Sequence, residues 1–582
     1  MEWLSEGKML LKKISLAISA LLLVFNLISC NNAKGLADGT FTGTGRGHNG
    51  TIEVQIEVNK GKIISAKILD DQETKGVADL AKDQILKSFL QDQSTSMIDV
   101  VSGASVTSNG ILDALDMALA KAQGLEPDTV FYHDTVCDIV IIGAGNAGLT
   151  AATEAASRGA NVIVLEKMDT VGGNSRFSTG GLNAAYTPEQ KKLGIKDSKE
   201  TFYNDTMKGG KYLNDPDLVH KLVDESAGIV EWLQQPLIGA DLSDVGIFGG
   251  STNRRAHRPH GGGAIGAHLV PLLEKAAVTS GAEIRLNNKA VEIIEENGAA
   301  AGVRVSYPAG KYNIKSKAVI IATGGFAANP EMVVMYQAAL EGFGTTNHKG
   351  ATGDAFPMVK KFDAALTQME YIQIHPTVSK STGIMITEAV LGNGAILINR
   401  TGRRFVNEME TRDIVSSAIL KGPGKTAFIL FDQTVRDSLK AIENYAQKGL
   451  LTEGKSLKEL AENLKLNENQ FFNTISQYNK YVGQGRDEDF NRTAKAMAHK
   501  LEKAPFYAIE VAPAIHHTMG GLKINTDAQV LNTSGIAIPG LYAAGEVTGG
   551  VHGAERLGGN AVADVCIFGK VAADSALKQI KK

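Results

Sequence analysis

The sequence predicts an α/β fold: a Rossmann-like domain that binds a dinucleotide and carries an inserted α+β domain, preceded by a separate small α+β domain. Three observations lead there. The apolar strand 138–142 runs into Gly143-Ala-Gly145-Asn-Ala-Gly148 and a helix-spaced segment 149–158. A second apolar strand, 161–165, ends at Glu166. Well upstream, residues 37–124 hold two strand-like runs and two helical stretches of their own. Strand, glycine turn, helix and strand together form the unit that seats a pyrophosphate at a helix N-terminus.

Composition bounds the rest. The chain has 582 residues, 43% hydrophobic and 21% charged, which is globular material for several domains rather than a membrane bundle. Glycine is in excess at 63 residues, against a usual share of about 7%, as suits a backbone that must approach cofactors closely. A net charge of −3 makes no case for a nucleic-acid partner. Beyond the N-terminus only Cys137 and Cys566 remain, without CxxC or CxxCH, so no metal, haem or iron–sulfur site is expected. Both read as buried packing residues.

In chain order, Lys12 and Lys13 precede an apolar run over residues 14–28 that is short for a membrane span and laid out as a secretory signal. It ends Leu27-Ile28-Ser29-Cys30, which resembles a bacterial lipobox. Residues 1–30 then read as a lipoprotein signal peptide, Cys30 as the lipidated first residue, and residues 31–36 as a tether; an ordinary cleaved signal is the alternative. The expectation is an exported lipoprotein, anchored by lipid to a membrane and facing the periplasm or cell exterior. Runs 51–58 and 62–69 flank the turn Asn59-Lys60-Gly61 as a hairpin, and 78–90 and 109–121 have helical spacing. They make up a domain at 37–124, joined by a linker at 125–133 to the dinucleotide domain at 134–368. Within the latter, Gly143 permits the turn, Gly145 lets the backbone reach a pyrophosphate, Gly148 lets helix and strand pack, and Glu166 is placed for ribose hydroxyls. Residues 369–511 read as an inserted capping domain and 512–582 as the return to the dinucleotide domain. The charged helical segments between 457 and 503 read as the solvated outer face of that cap.

Between the two helices of the first domain lies Asp99-Val100-Val101-Ser102-Gly103-Ala104-Ser105-Val106-Thr107-Ser108. It resembles the flavinylation motif of FMN-binding domains. The resemblance implies FMN joined covalently through its phosphate to Ser105, the work of a flavin transferase; a Ser or Thr helix cap is the bland alternative. In the larger domain, Gly172-Gly173-Asn174-Ser175, Ser178-Thr179-Gly180-Gly181, Ala322-Thr323-Gly324-Gly325, Thr352-Gly353-Asp354 and Gly545-Glu546 resemble the stretches that hold FAD in the fumarate reductase and succinate dehydrogenase flavoprotein superfamily. The implied contacts to non-covalent FAD are Gly143, Gly145, Gly148, Glu166, Lys167, Gly173, Asn174, Thr179, Gly180, Gly181, Asp354, His517, Glu546, Ala561 and Val562.

From Tyr371 onward the chain is similar to soluble fumarate reductases of the flavocytochrome type, with urocanate reductases as close relatives. The matching stretches include Ile372-Gln373-Ile374-His375-Pro376-Thr377, Thr387-Glu388, Thr411-Arg412-Asp413, His516-His517-Thr518 and His552-Gly553-Ala554-Glu555-Arg556. The resemblance implies that Arg556 and His516 bind one substrate carboxylate, His375 and Thr387 bind the other, and Arg412 delivers a proton that Glu388 replaces. Where the family has a second relay arginine, this chain has Leu391. The expected function is a respiratory-type reductase of a small unsaturated carboxylate, fumarate to succinate. FMN would pass electrons from a one-electron donor at the membrane or periplasm. Urocanate, acrylate or methacrylate are the alternative substrates, and a non-catalytic flavin electron-carrier lipoprotein is the alternative class.

Overall fold

The computed structural model describes residues 36–46, 50–71, 73, 77–95, 98, 101, 104–124, 132–497 and 499–581. The expected signal, Cys30, nearly all of the tether and linker, Ser102, Gly103 and the Ser105 side chain lie outside what is described. Two compact units form: Met1–Asp134 with Ala309–Tyr312, and Thr135–Pro308 with Asn313–Lys582.

The first unit is a three-stranded antiparallel sheet, β1 (Gly39–Arg46), β2 (Thr51–Asn59) and β3 (Lys62–Asp70), in that order, with helices α1 (Val77–Asp92) and α2 (Ser105–Ala122). On β2, Ile52, Val54, Ile56 and Val58 are buried while the residues between them are more exposed, the period-2 pattern of a half-buried strand. Helix α2 supplies Ile111, Leu112, Leu115 and Ala118 to the same core. It lies so close to β1 that a Cβ on Gly43 or Gly45 would come within 2.0 Å of Ala114 O or Gly110 O. Glycine is therefore required at both positions. The second helix starts at Ser105, a turn before the expected Asn109.

The second unit is built on a sheet whose parallel strands are β4 (Thr135–Ile142), β5 (Val162–Leu165) and β6 (Glu283–Arg285). The helix that follows the glycine turn, α3, spans Asn146–Ser157 between β4 and β5. The sheet continues through β7 (Lys289–Glu296), β8 (Ala299–Tyr307) and β9 (Gly310–Ile321) in the order β7-β8-β9-β4-β5-β6. Residues 139–142 and 162–165 are buried, as central parallel strands must be. Cys137 is buried in this sheet and unpaired, as expected.

A second sheet holds the reacting centre. Its path runs β10 (Ile372–Ser379), β13 (Phe506–Thr518), β12 (Ala427–Asp432), β11 (Ile396–Ile398), all antiparallel, with short helix α4 (Ala389–Gly392) and helix α5 (Arg412–Lys421) among them. Strand β13 runs unbroken through residues 511–512, where the cap was expected to end. Strand β14 (Ala537–Ala543) then pairs with β9, and the closing helix α6 (Asn560–Ile580) crosses α3. The crossing is close: a Cβ on Gly569 would sit 2.5 Å from Ala147 O. Cys566, on α6, is buried and unpaired.

The charged helical segments between 457 and 503 do turn Lys458, Glu462, Lys465 and Lys480 to solvent as expected, but two charges beyond them need correction. Arg492 and Asp487 are buried, Arg492 donating to Glu408 at 3.1 Å and to the carbonyls of Ala395 and Leu391, while Arg404 bridges Glu408 and Asp487 at 2.9 Å each. Their pairing partners are 80 or more residues away, so local charge density could not reveal it. Phe471, Ile475 and Tyr478 of the same region are core residues as well. Breaking a buried ion pair from one side leaves an uncompensated charge, at a cost of about 3–5 kcal/mol. Arg492→Ala is expected to lower unfolding stability by about that amount, measured by denaturant titration.

Candidate active site

Strands β10 and β13 place the reacting residues. Gln373 and His375 are two apart on β10 and so share a face. Across from them the register jumps, Gln373 pairing with His517 but Ile374 with Ile515, so that His516 is the extra residue of a β-bulge. A bulge re-aims a side chain. Here the His516 ring meets His375 edge-on, with centroids 5.0 Å apart.

Arg412 is the first residue of α5. Its Nε and Nη2 donate to the two oxygens of Glu388 at 2.9 and 3.0 Å, and its Nη1 donates to Gln373 Oε1 at 2.9 Å. Arg556 Nη2 donates to the same Gln373 oxygen at 2.9 Å, and Arg556 Nη1 to Leu557 O at 3.1 Å. Arg556 Nε is buried with no protein partner, a donor left for a ligand. Thr387 lies beside Glu388, its N–H donating to the Tyr445 hydroxyl.

Charge is settled by these contacts. Burial alone would raise Glu388, but the Arg412 charge and paired hydrogen bonds outweigh it and bring it down to about 2. Arg412 is raised, burial being overcome by the same pair. Burial, then the nearby Arg412 charge, pulls Arg556 down to about 10, still cationic at neutral pH. Burial, then Arg412 and Arg556, brings His375 down to about 3 and holds His516 well below its ordinary value. Both imidazoles are neutral. The Thr377 N–H donates to His375 Nδ1 at 3.3 Å, which leaves the hydrogen on Nε2. The site therefore offers two cations and neutral N–H and O–H donors.

A cleft opens beside the β4 glycine turn, lined among others by Gly143, Gly145, Glu166, Lys167, Gly173, Asn174, Asp354 and Glu546. Gly143 has φ +106°, and a Cβ there would sit 2.4 Å from Ala322 O. A Cβ on Gly148 would sit 1.9 Å from Gly143 O, whereas one on Gly145 meets nothing nearer than Ser175 Oγ at 3.6 Å, because Gly145 faces the cleft. Gly145, the N-cap, has no side chain to cap α3; the first N–H of the helix, that of Asn146, donates to Ser175 Oγ at 3.1 Å, and the helix N-terminus faces the cleft. Glu166 accepts from Ala144 N–H at 2.9 Å and Met168 N–H at 3.0 Å, and Lys167 pairs with Asp354 at 2.6 Å. Thr179 is exposed, and it, Gly180, Gly181, His517, Ala561 and Val562 lie outside the cleft lining. His517 is buried with Nδ1 3.6 Å from Glu546 and Nε2 without a partner, while Ala561 and Val562 sit in the uncapped first turn of α6. Asn288, Lys289 and His348 line the cleft without having been expected there.

Comparison with known proteins decides the family. Residues 138–562 match the family described as FAD binding domain, and residues 47–120 the family described as FMN-binding domain. The fumarate reductase (cytochrome) of Shewanella frigidimarina is 47% identical over 452 residues, 77% of this chain and 78% of that protein. This chain belongs to the FAD-dependent fumarate reductase family. The urocanate reductase of Eggerthella lenta is 35% identical over 94% of this chain and 93% of its own length. A solved flavocytochrome c3 fumarate reductase in an open conformation matches with TM-score 0.68 and 42% identity, covering 77% of this chain and 79% of that one.

Membership makes the chain a flavin oxidoreductase with FAD- and FMN-binding domains, and the cleft fits the first cofactor: glycine cradle, helix N-terminus and acidic residue all line it. In the FMN-binding domain, Ser105 is the first helical residue. Thr107 and Ser108, the neighbouring hydroxyls, are buried and engaged, Thr107 donating to Glu73 and Ser108 accepting from Val101 N–H at 3.1 Å. Among the described residues no helix is long and apolar enough to cross a membrane, and no cluster of His, Cys, Asp or Glu could hold a metal.

Gly145→Ala is expected to fold but lose FAD, since its Cβ fits the protein and intrudes on the cofactor, whereas Gly148→Ala impairs folding; circular dichroism and flavin absorbance separate the two. Because both site histidines are neutral, acidification through about pH 6.5 adds no charge to the site. A kcat/KM profile for the substrate anion should show no histidine ionisation between about pH 5 and 8; a rise on acidification through that range would contradict the assignment.

Proposed function

We propose that this flavin oxidoreductase reduces the double bond of a small unsaturated dicarboxylate, converting fumarate to succinate. The observation that carries the reading is the donor census: Arg412, Arg556, His375 and Thr387 supply positive charge or N–H and O–H groups, while the acceptors Glu388 and Gln373 are already engaged. Such a site fits a ligand with an anion at each end. Arg556, through its free Nε–H and remaining Nη–H groups, grips one carboxylate beside His516. His375 Nε2–H and the Thr387 hydroxyl hold the other. FAD, when bound, supplies the hydride. The protein's donors stabilise the charge that accumulates on the held carboxylate.

Arg412 is the proton donor. Three of its five N–H groups are spent on Glu388 and Gln373, leaving two on its Nη1 and Nη2 atoms for substrate. The Glu388 pair strengthens its hold on the proton, and its place at a helix N-terminus, the positive end of the dipole, works the other way. Glu388, ionised at neutral pH, passes a proton from solvent on to Arg412. Leu391 is packed in the cap core and takes no part, but the Glu388 side chain is 29% exposed, so water can recharge it without a second arginine.

A urocanate reductase is the second reading, favoured by the Eggerthella relative that matches both domains. Purified holoenzyme with reduced viologen and each acid in turn separates the two. Fumarate turnover is expected; rapid urocanate turnover without fumarate turnover would overturn the choice. Arg412→Ala should lower kcat by about 10²–10⁴-fold with FAD absorbance intact, and retained activity would contradict the proton-donor role.

FMN is proposed to be attached through its phosphate to Ser105, with electrons arriving from a one-electron donor outside the chain. Engagement of Thr107 and Ser108 supports that choice of hydroxyl. Export and lipidation at Cys30, with the chain anchored at the periplasmic or outer face, belong to the same proposal and rest on the lipobox. Mass spectrometry of the Ser105 peptide, from cells that hold a flavin transferase, should find the mass of an FMN phosphoester; an unmodified peptide alongside full reductase activity would refute the attachment.

A further inference from the structure

Gln373 makes four hydrogen bonds and is fully buried. Its Oε1 accepts from Arg412 Nη1 and Arg556 Nη2, both at 2.9 Å. Its Nε2 donates to Arg556 O at 2.8 Å and to the Glu555 carboxyl. The orientation of the amide is forced, since a backbone carbonyl only accepts and a guanidinium only donates. Glu555 is itself buried, next to Arg556 in sequence and across from β10 in space.

We propose that Gln373 and Glu555 are a positioning pair that sets the spacing and orientation of Arg412 against Arg556. This rests on the reading of Arg412 as proton donor and Arg556 as carboxylate clamp. Two buried guanidiniums repel, and the Arg412 charge weakens the hold of Arg556 on its proton. A single oxygen shared between them offsets that repulsion at the point where they approach. It also occupies one N–H of each, which decides which N–H groups are left to face the substrate. On Arg412, the Glu388 pair fixes one edge of the guanidinium and Gln373 pins a terminal nitrogen, so the plane cannot turn about the Glu388 contact. Glu555 in turn anchors the far end of the amide, so that neither end of Gln373 is free to rotate. Neither residue touches the reacting atoms in this arrangement; both act through the arginines.

The test uses FAD-loaded protein with reduced viologen and fumarate, and compares Gln373→Met, the exchange Gln373→Glu with Glu555→Gln, and Arg412→Ala. Methionine keeps the volume but removes the shared oxygen. Displacement of the proton donor by roughly an ångström costs about 100-fold, so kcat should fall by about that factor while KM changes less than about tenfold, because Arg556 keeps its free Nε–H. The double exchange puts a carboxylate oxygen between the arginines and an amide donor at position 555; the second carboxylate oxygen cannot bond the Arg556 carbonyl, so kcat should recover in part, to about tenfold above Gln373→Met. Unfolding temperature and flavin absorbance report on folding independently. A kcat within about threefold of wild type for folded Gln373→Met, or a double variant no better than Gln373→Met, overturns the pair. Retained activity in Arg412→Ala would instead overturn the reading on which the pair rests.

Discussion

The buried approach of Arg412 to Arg556 is the constraint around which the reacting centre is organised. Two guanidiniums cannot share a desolvated pocket without compensation. The protein supplies part of it: Glu388 neutralises Arg412 by a paired contact, and the Gln373 oxygen takes one hydrogen from each arginine. It does not supply all of it. Arg556 Nε remains buried without a protein partner, and both neighbouring imidazoles are held neutral, so the site is left with unmatched positive character and unsatisfied donors. A carboxylate at Arg556 would match that charge. Ligand charge is thus part of the site's electrostatic design.

The scaffold makes that approach possible through backbone features rather than through long side chains. The bulge at His516 turns one strand residue toward His375, and the first turn of α5 delivers Arg412. Gly325 is one further condition: a Cβ there would fall 2.0 Å from Thr518 Oγ1 and 2.7 Å from Glu546 Oε1, so glycine lets the β9 loop pack against the Glu546 carboxylate. Beneath these, the Arg404, Glu408, Asp487 and Arg492 network ties the segments of the second sheet together and holds the carbonyl of Leu391.

Much of this was legible in the sequence, for identifiable reasons. The glycine cradle could be read because its roles depend on fixed local spacing, and Gly143, Gly145 and Gly148 each occupy the environment their role requires. His375, Thr387, Glu388, Arg412, His516 and Arg556 lie in local motifs as well, and the fold brings their strands and helices together. The fate of Leu391 became clear only from packing. Gln373 was missed, although a signal existed: it is polar between Ile372 and Ile374 and two residues from His375, hence on the same strand face. The bulge was not legible, because register is set by pairing with a strand more than 130 residues away. The buried charges of 404–492 were unreadable for the same reason, since each looks like surface until its distant partner is placed.

Dependence on ligand charge can be measured directly. Isothermal titration of the oxidised holoenzyme with fumarate, its monoamide and its diamide changes one carboxylate at a time at nearly constant shape. Each charged hydrogen-bonded end is worth about 1.5–3 kcal/mol, so affinity should fall by about tenfold or more at each step. A monoamide that binds as tightly as fumarate would contradict the claim that the site holds a carboxylate at each end of the ligand.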